Sequence, residues 1–362
     1  MNRSKYYRLY KSNLRHARRQ QKRKIVFKKY KKSKNRNNQG TPLERQKELN
    51  AQRDKFWGYK KESAPRNFSL IQNPEETIAF IKRLFSHYRK GDKVYVHLRP
   101  VTTLTNDAIA VLIAVMTLFR SAKLNFNGDY PRNEEVAAAL WRSGFFSNLY
   151  NKIPDRDRYR FVGKENNLHT HADKNVDPEL SDKIIEKAST TVWGEQRRCL
   201  GLQRVFMELM QNTNNHASLG HEGEKHWWVS VDQNEEKRLV SFAFIDFGVG
   251  IFNSLENKPE GSKFFGWVDK MRKIFSFSNN AELLKLILQG ALHKTVTGKY
   301  YRGNGLPGIK NSFDNGSVSR LHIISNDVFA DIENDKFIVL KNGLLGTLFY
   351  WELNEKNHNL PW

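Results

Sequence analysis

The sequence predicts an α/β fold in two successive units. Three observations carry this. The chain has 362 residues, and at roughly 150 residues per domain that length holds about two domains. Strand and helix patterns alternate between Asp92 and Arg142. A second series of helix, strand, glycine turn and helix runs from Gly201 to Leu353.

In the first unit, Val94, Val96 and Leu98 alternate with polar neighbours, the pattern of a half-buried strand. Thr105, Asn106 and Asp107 are good capping residues for the apolar helix after them. Lys123 to Asn127 reads as a second strand. Asn133 to Arg142 reads as a second helix, closed by Gly144. Leu43 to Glu62 reads as a short polar helix or linker. Arg158 to Leu180 is polar and reads as a loop. Within it, His169 and His171 stand two apart with no third ligand nearby, which is weak evidence for a metal.

The strand, then Val101-Thr102, the apolar helix and "PRNEEVAAALWRSGFF" together resemble the STAS domains of anti-sigma factor antagonists. In that family a serine at the start of the apolar helix is phosphorylated by a partner kinase. Asn106 and Asp107 stand near the corresponding positions, so the resemblance implies a protein-docking unit without the phosphorylation switch. Thr105, adjacent to them, reads as a helix cap.

In the second unit, Leu202, Phe206, Leu209 and Thr213 share one helical face. Glu208, Asn212 and His216 fall one turn apart on a neighbouring face. An amide oxygen can serve Mg²⁺ among water and phosphate ligands. A carboxylate can polarise a water. The same spacing also describes an ordinary amphipathic helix with a polar rim. Val240 to Phe244 is a buried-strand run leading into "FIDFGVGI". There Asp246 ends the strand, and Gly248 and Gly250 come after it. Glycines let a backbone approach a ring closely, although the pattern alone also fits a simple turn. "YRGNGLPGIKNSFDNG" places Gly303 and Gly305 before a helix beginning near Leu306. A glycine loop at a helix N-terminus offers free N–H groups to phosphate. Pro307 suits that helix's first turn. A strand at Leu321 to Ser325 comes next, then a hairpin ending in "GTLFYWEL". Phe349, Trp351 and Leu353 alternate there as on a strand packed against helices.

Helix "ELMQNTNNHA", strand-end "DFGVGI", loop "GNGLPGI" and terminal "GT-F", in that order, resemble the GHKL nucleotide-binding fold. That is the ATPase domain of gyrase, the MutL proteins, a class of heat-shock chaperones, the histidine kinases and the anti-sigma kinases. The resemblance covers about Asp182 to Leu353. It implies an α/β sandwich whose mixed sheet carries helices on one face. It also implies ATP and Mg²⁺ as ligands. Glu208 matches the general base and Asn212 the Mg²⁺ ligand. Asp246 matches the acceptor of the adenine amine, and Gly248 and Gly250 the adenine-side glycines. Gly303 and Gly305 match the phosphate-side glycines, and Thr347 the threonine beside the aspartate. Asn215 holds an ATP-side position that is often lysine in the kinases. Pro307 replaces a usual glycine, with Gly308 after it. The segment between Phe252 and Arg302 occupies the lid position. In it Ser278-Asn279-Asn280 caps a helix with Leu284, Ile287, Leu288 and Ala291 on its apolar face. Lys299 and Arg302 read as phosphate-neutralising or as plain surface residues.

The formal charge is +23, from 61 Lys and Arg against 38 Asp and Glu. Residues 1–43 hold no acid, and 16 Lys or Arg lie between Arg3 and Arg36. Tyr6, Tyr7, Tyr10, Phe27 and Tyr30 are interleaved. Such an arm suits RNA, DNA or an anionic surface, because clustered cations release counterions and aromatic faces stack on bases. A solvated tail is the plainer reading. The single cysteine, Cys199, excludes a disulfide framework and a cysteine-based zinc cluster. No apolar run reaches the ~20 residues of a membrane span. No apolar signal region is visible, and the expected compartment is cytoplasmic.

The domain reading is an arm over 1–42, a linker or short helix over 43–70 and the STAS-like unit over 71–160. A linker over 161–181, the ATP-binding unit over 182–354 and a tail over 355–362 complete it. The expected function is ATP binding with slow Mg²⁺-dependent hydrolysis to ADP and phosphate, coupled to conformational change. Two other readings stay open: a nucleotide-gated adaptor that binds nucleic acid through residues 1–36 without turnover, and an anti-sigma-type protein serine kinase. A protein partner on the STAS-like unit and a homodimer are the further partners considered.

Overall fold

The computed structural model describes residues 56, 58–143, 145, 168–173, 176–216, 226–256, 268–269, 272–273, 277–290 and 305–357, with the backbone alone for 168–173, 214–216 and 226. The chain divides into two compact units, Met1–Gly58 and Tyr59–Trp362. Almost all of the first unit, the basic arm included, lies outside the described residues.

The second unit is mixed α/β, with eight helices and both parallel and antiparallel sheets among the described residues. Its first part is a three-stranded parallel sheet in the order β1 (Lys60–Ser63), β3 (Val94–His97), β5 (Phe126–Gly128). A short parallel pair, β2 (Asn67–Phe68) and β4 (Thr103–Leu104), sits apart from it. Residues 60–63 are therefore strand, not linker or helix. Lys60 to Ser63 gain the ladder of β3, a pairing that their polar sequence does not announce.

Helix α1 (Pro74–Lys90) is well signalled. Proline opens it, Glu75 and Glu76 fill its first turn, and His87, Arg89 and Lys90 its last, all favourable to the helix dipole. Gly91 at φ 72° closes it in the left-handed conformation. Asp92 N–H reaches back to the His87 carbonyl, as in a Schellman cap. Helix α2 (Asn106–Ser121) is buried on every side from Asn106 through Met116, as a uniformly apolar helix must be. Helix α3 (Glu134–Arg142) starts where the Asn133 side chain accepts from Val136 N–H. Ser143 follows its last residue, and Gly144, expected to close it, lies outside the described residues.

The second part is a five-stranded sheet in the order β6-β7-β8-β10-β9. These strands are Leu168–Asp173, His226–Asn234, Leu239–Asp246, Lys336–Asn354 and Ser319–Asp331. Every pairing in it is antiparallel, which corrects the expectation of a mixed sheet. The loop expected around His169 and His171 is corrected too: it is the strand β6, paired to β7.

Helices α4 (Pro178–Trp193), α5 (Leu200–His216) and α7 (Asn280–Leu288) share one core with this sheet. The short helix α6 (Ile251–Glu256) adds Phe252 to it. Phe206 of α5 meets Phe242 and Trp351 edge-on at 5.6 and 5.3 Å, and those two rings stack at 5.3 Å. The opposite sheet face, carrying Ala243, Ile245, Ile324 and Leu348, is covered by α1 and α2. Helices on one face was the expectation, and both faces are covered. The reason is visible in β10. Phe349, Trp351 and Leu353 belong to the first core, and Leu348 on the other parity belongs to the second. A strand buried on both faces loses its polar alternation. Asn106, at the start of α2, fastens the second layer: its amide donates to the Ser230 carbonyl on β7 at 3.3 Å and its oxygen accepts from the Ser230 hydroxyl. Asp107 accepts from Leu70 N–H at 2.5 Å. Both residues at the expected switch position are thus buried structural ties.

Candidate functional site

The site is built where α5 packs against both the sheet and helix α8 (Gly305–Asp314). Leu202, Phe206, Leu209 and Thr213 are all buried, which fixes the rotation of α5. Residues one turn apart on the adjoining face then point together. That face carries Arg204, Glu208 and Asn212, all half-buried.

Gly305, the first residue of α8, sits directly against this face. A Cβ at Gly305 would lie 3.2 Å from the Asn212 amide atoms and 3.2 Å from Glu208 Oε2. Gly308, one turn on, is closer still: a Cβ there would lie 2.7 Å from Arg204 Nη2. The two helices therefore cross with glycines facing polar side chains. Arg204 Nε stands 4.0 Å from Glu208 Oε1. Burial pushes the Glu208 carboxyl above the usual carboxylate range, and the Arg204 charge partly offsets it. A raised carboxyl beside a cation is poised nearer neutral pH, where a general base works best.

Asp246 ends β8 and pairs in register with Thr347 on β10. Side chains alternate between the two faces of a strand. Asp246 has the parity of Phe242 and Phe244, and Thr347 that of Phe349 and Trp351, so both sit on the face that α5 covers. The two groups of residues thus share one side of the sheet. Asp246 Oδ1 accepts from Gly248 N–H at 2.8 Å. Burial pushes its carboxyl up to about 7, with the Gly248 bond opposing.

The turn after Asp246 is strapped to β9. Ile251 N–H donates to Ser325 Oγ at 2.9 Å, and Ser325 Oγ lies 3.1 Å from Thr347 Oγ1. Asn326 donates to the Val249 carbonyl at 2.9 Å and accepts from Phe252 N–H at 3.2 Å. Gly250 has φ +80°, and a Cβ there would meet the Asn326 side chain at 2.3 Å. Gly346 has φ +97°, and a Cβ there would fall 1.9 Å from the Asp246 carbonyl oxygen. Only glycine fits either position.

Glu208, Asn212 and Gly305 therefore meet; Asp246 bonds Gly248 and pairs with Thr347, and Gly250 packs on Asn326. Gly303, Lys299, Arg302 and Ala291 lie outside the described residues, as do the side chains of Asn215, His216, His169 and His171. Sequence reasoning missed Arg204, Ser325, Asn326 and Gly346. Arg204 stands one turn before Glu208. Ser325-Asn326 interrupts an apolar strand. Both signals were there to read.

Among the described residues no cluster of three or more histidine, cysteine or carboxylate side chains could hold a metal. None of their helices is long and apolar enough to cross a membrane. A groove of about 740 Å³ opens elsewhere, beside α1, and none of Glu208, Asn212, Asp246 or Thr347 lines it. Comparison of the sequence with known protein families finds no family model that matches. Comparison with curated proteins finds no match.

Proposed function

We propose that this chain binds ATP with Mg²⁺ and hydrolyses it slowly, as the GHKL resemblance implies, and that the turnover is coupled to conformational change. The observation that carries this is the seam between α5 and α8, where Glu208 and Asn212 lie against Gly305, 3.2 Å from the place of a Cβ. Residues spread over more than a hundred positions of sequence converge there and at the Asp246–Thr347 pair.

The donor set suits the proposed ligands. Bound ATP and Mg²⁺ would supply the phosphoryl group and the charge that activates it. Asn212 offers a neutral oxygen to a hard cation, which prefers oxygen ligands and keeps several waters. The N-terminus of α8 favours anions through its dipole and free N–H groups. Glu208 Oε2 accepts a proton from a water held beside it. Asp246 keeps one oxygen on Gly248 N–H and turns its carboxyl toward the face where α5 lies. An amine donor there meets a fixed acceptor on a turn that Ser325 and Asn326 hold in place.

Calorimetric titration with ATP and Mg²⁺ tests the reading. A lost hydrogen bond to a charged group is worth about 1.5–3 kcal/mol, so Asp246→Ala should weaken ATP at least tenfold or so. Asn212→Ala should weaken it only when Mg²⁺ is present. Glu208→Ala should retain binding and lose turnover. Unchanged affinity in both Asp246→Ala and Asn212→Ala overturns the assignment.

A further inference from the structure

The groove beside α1 is lined by none of Glu208, Asn212, Asp246 or Thr347. Its floor is apolar: Ile78, Ile81 and Phe85 from α1, and Leu344 and Leu345 from β10. Its rim carries three cations, Lys82, Arg89 and Lys90, all exposed. One carboxylate lines it, Asp327, and that one is engaged by the Asn280 amide at 2.7 Å. Among the described residues no carboxylate forms an ion pair with Arg89 or Lys82. The groove thus offers positive charge over an apolar bed.

Its dimensions narrow the occupant. The lining residues of α1 run from Ile78 to Lys90, a length of about 18 Å at 1.5 Å per residue. An extended chain of five or six residues spans the length at ~3.3 Å per residue. Its alternate side chains can face the apolar floor while the others reach the charged rim.

We propose that this groove is a docking site for a short, extended, acidic segment of a partner protein, with apolar residues interleaved among the acids. The proposal stands without nucleotide binding. The groove does share parts with the Asp246 turn. Phe85 meets Phe247 edge-on at 5.0 Å. Asn326, which holds Val249 and Phe252, lines the groove, as does Asn253. A docked segment therefore contacts the same residues that fix the turn after Asp246.

The test uses the full chain without nucleotide and a short fluorescein-labelled peptide of alternating glutamate and leucine, monitored by anisotropy. Lys82→Glu combined with Arg89→Glu should weaken binding at least tenfold or so, since like charge suppresses a wrong partner. Ser86→Trp, which fills the groove without changing charge, should weaken it by a similar factor. Lys28→Glu combined with Lys29→Glu in the basic arm should change it less than about threefold. Hydrogen exchange should slow on peptide binding over residues 78–90. No binding, equal loss in the arm variant, or no loss in the groove variants overturns the proposal. So does binding to phosphatidylserine vesicles that the groove variants abolish while peptide affinity is unchanged; that result assigns the groove to a membrane surface.

Discussion

Asp246 is a carboxyl whose folded environment favours the proton. Its folded value lies near 7, against an ordinary 3.8. Between those values the folded chain holds a proton that the unfolded chain has released. Stability from this group is therefore complete below about pH 4 and is lost as pH rises through 7. Asp246→Asn keeps an oxygen for Gly248 N–H and removes the titration. It should stabilise the protein at pH 8 by about 1–3 kcal/mol and flatten the pH dependence of unfolding between 4 and 7. Urea melts across that range check this, and an unchanged slope counts against the buried carboxyl. The same substitution should cost ATP affinity, the usual exchange of stability for function.

Gly346 makes the opposite kind of demand. A side chain there would face both the left-handed region and a backbone oxygen 1.9 Å away. Gly346→Ala should therefore cost more than about 2 kcal/mol. Gly91→Ala, at φ +72° with nothing within 4 Å, should cost about 1 kcal/mol. Denaturation of the two variants side by side separates clash from backbone strain.

At the scale of elements, the crossing of α5 and α8 governs the acid–base group. Glycines 305 and 308 let α8 approach side chains that a Cβ would displace. Arg204 lies in that crossing, and its charge holds the Glu208 carboxyl below where burial alone would put it. Arg204→Met should raise the Glu208 value further. A base must be deprotonated to act, so the acidic limb of the turnover profile should move to higher pH. A ¹³C titration of Glu208 reads the same shift without turnover. A shift to lower pH would contradict the geometry.

At the scale of the molecule, the five-stranded sheet is closed on both faces. α1 and α2 cover Ala243, Ile245, Ile324 and Leu348. Asn106 pins that layer to β7 through Ser230. A chain of residues 161–362 would expose this face, and exposed apolar patches beyond a few hundred Å² drive association. It should aggregate or bind a hydrophobic dye strongly. A chain of residues 59–362 should unfold in a single cooperative transition. A soluble, monomeric 161–362 would show that the covering layer is dispensable.

The local elements and the candidate residues of the site are legible along the chain. The buried stripe of α5, the N-caps of α3 and α7, and Asp246 at the end of β8 come from periodicity and capping chemistry, which are short-range. Glu208 and Asn212 were legible as neighbours because one helical turn separates them. Their meeting with Gly305, the pairing of Thr347 with Asp246, and the grip of Ser325 and Asn326 on the turn were decided only by tertiary structure. Those contacts join residues 74 to 101 positions apart, and no local pattern encodes which strand pairs with which. Polar residues 60–63 and 168–173 became strands for the same reason: a partner strand supplied hydrogen bonds that their own composition did not predict. The second covered face was hidden too, because burial on both sides erases the alternation by which a strand's facing is read.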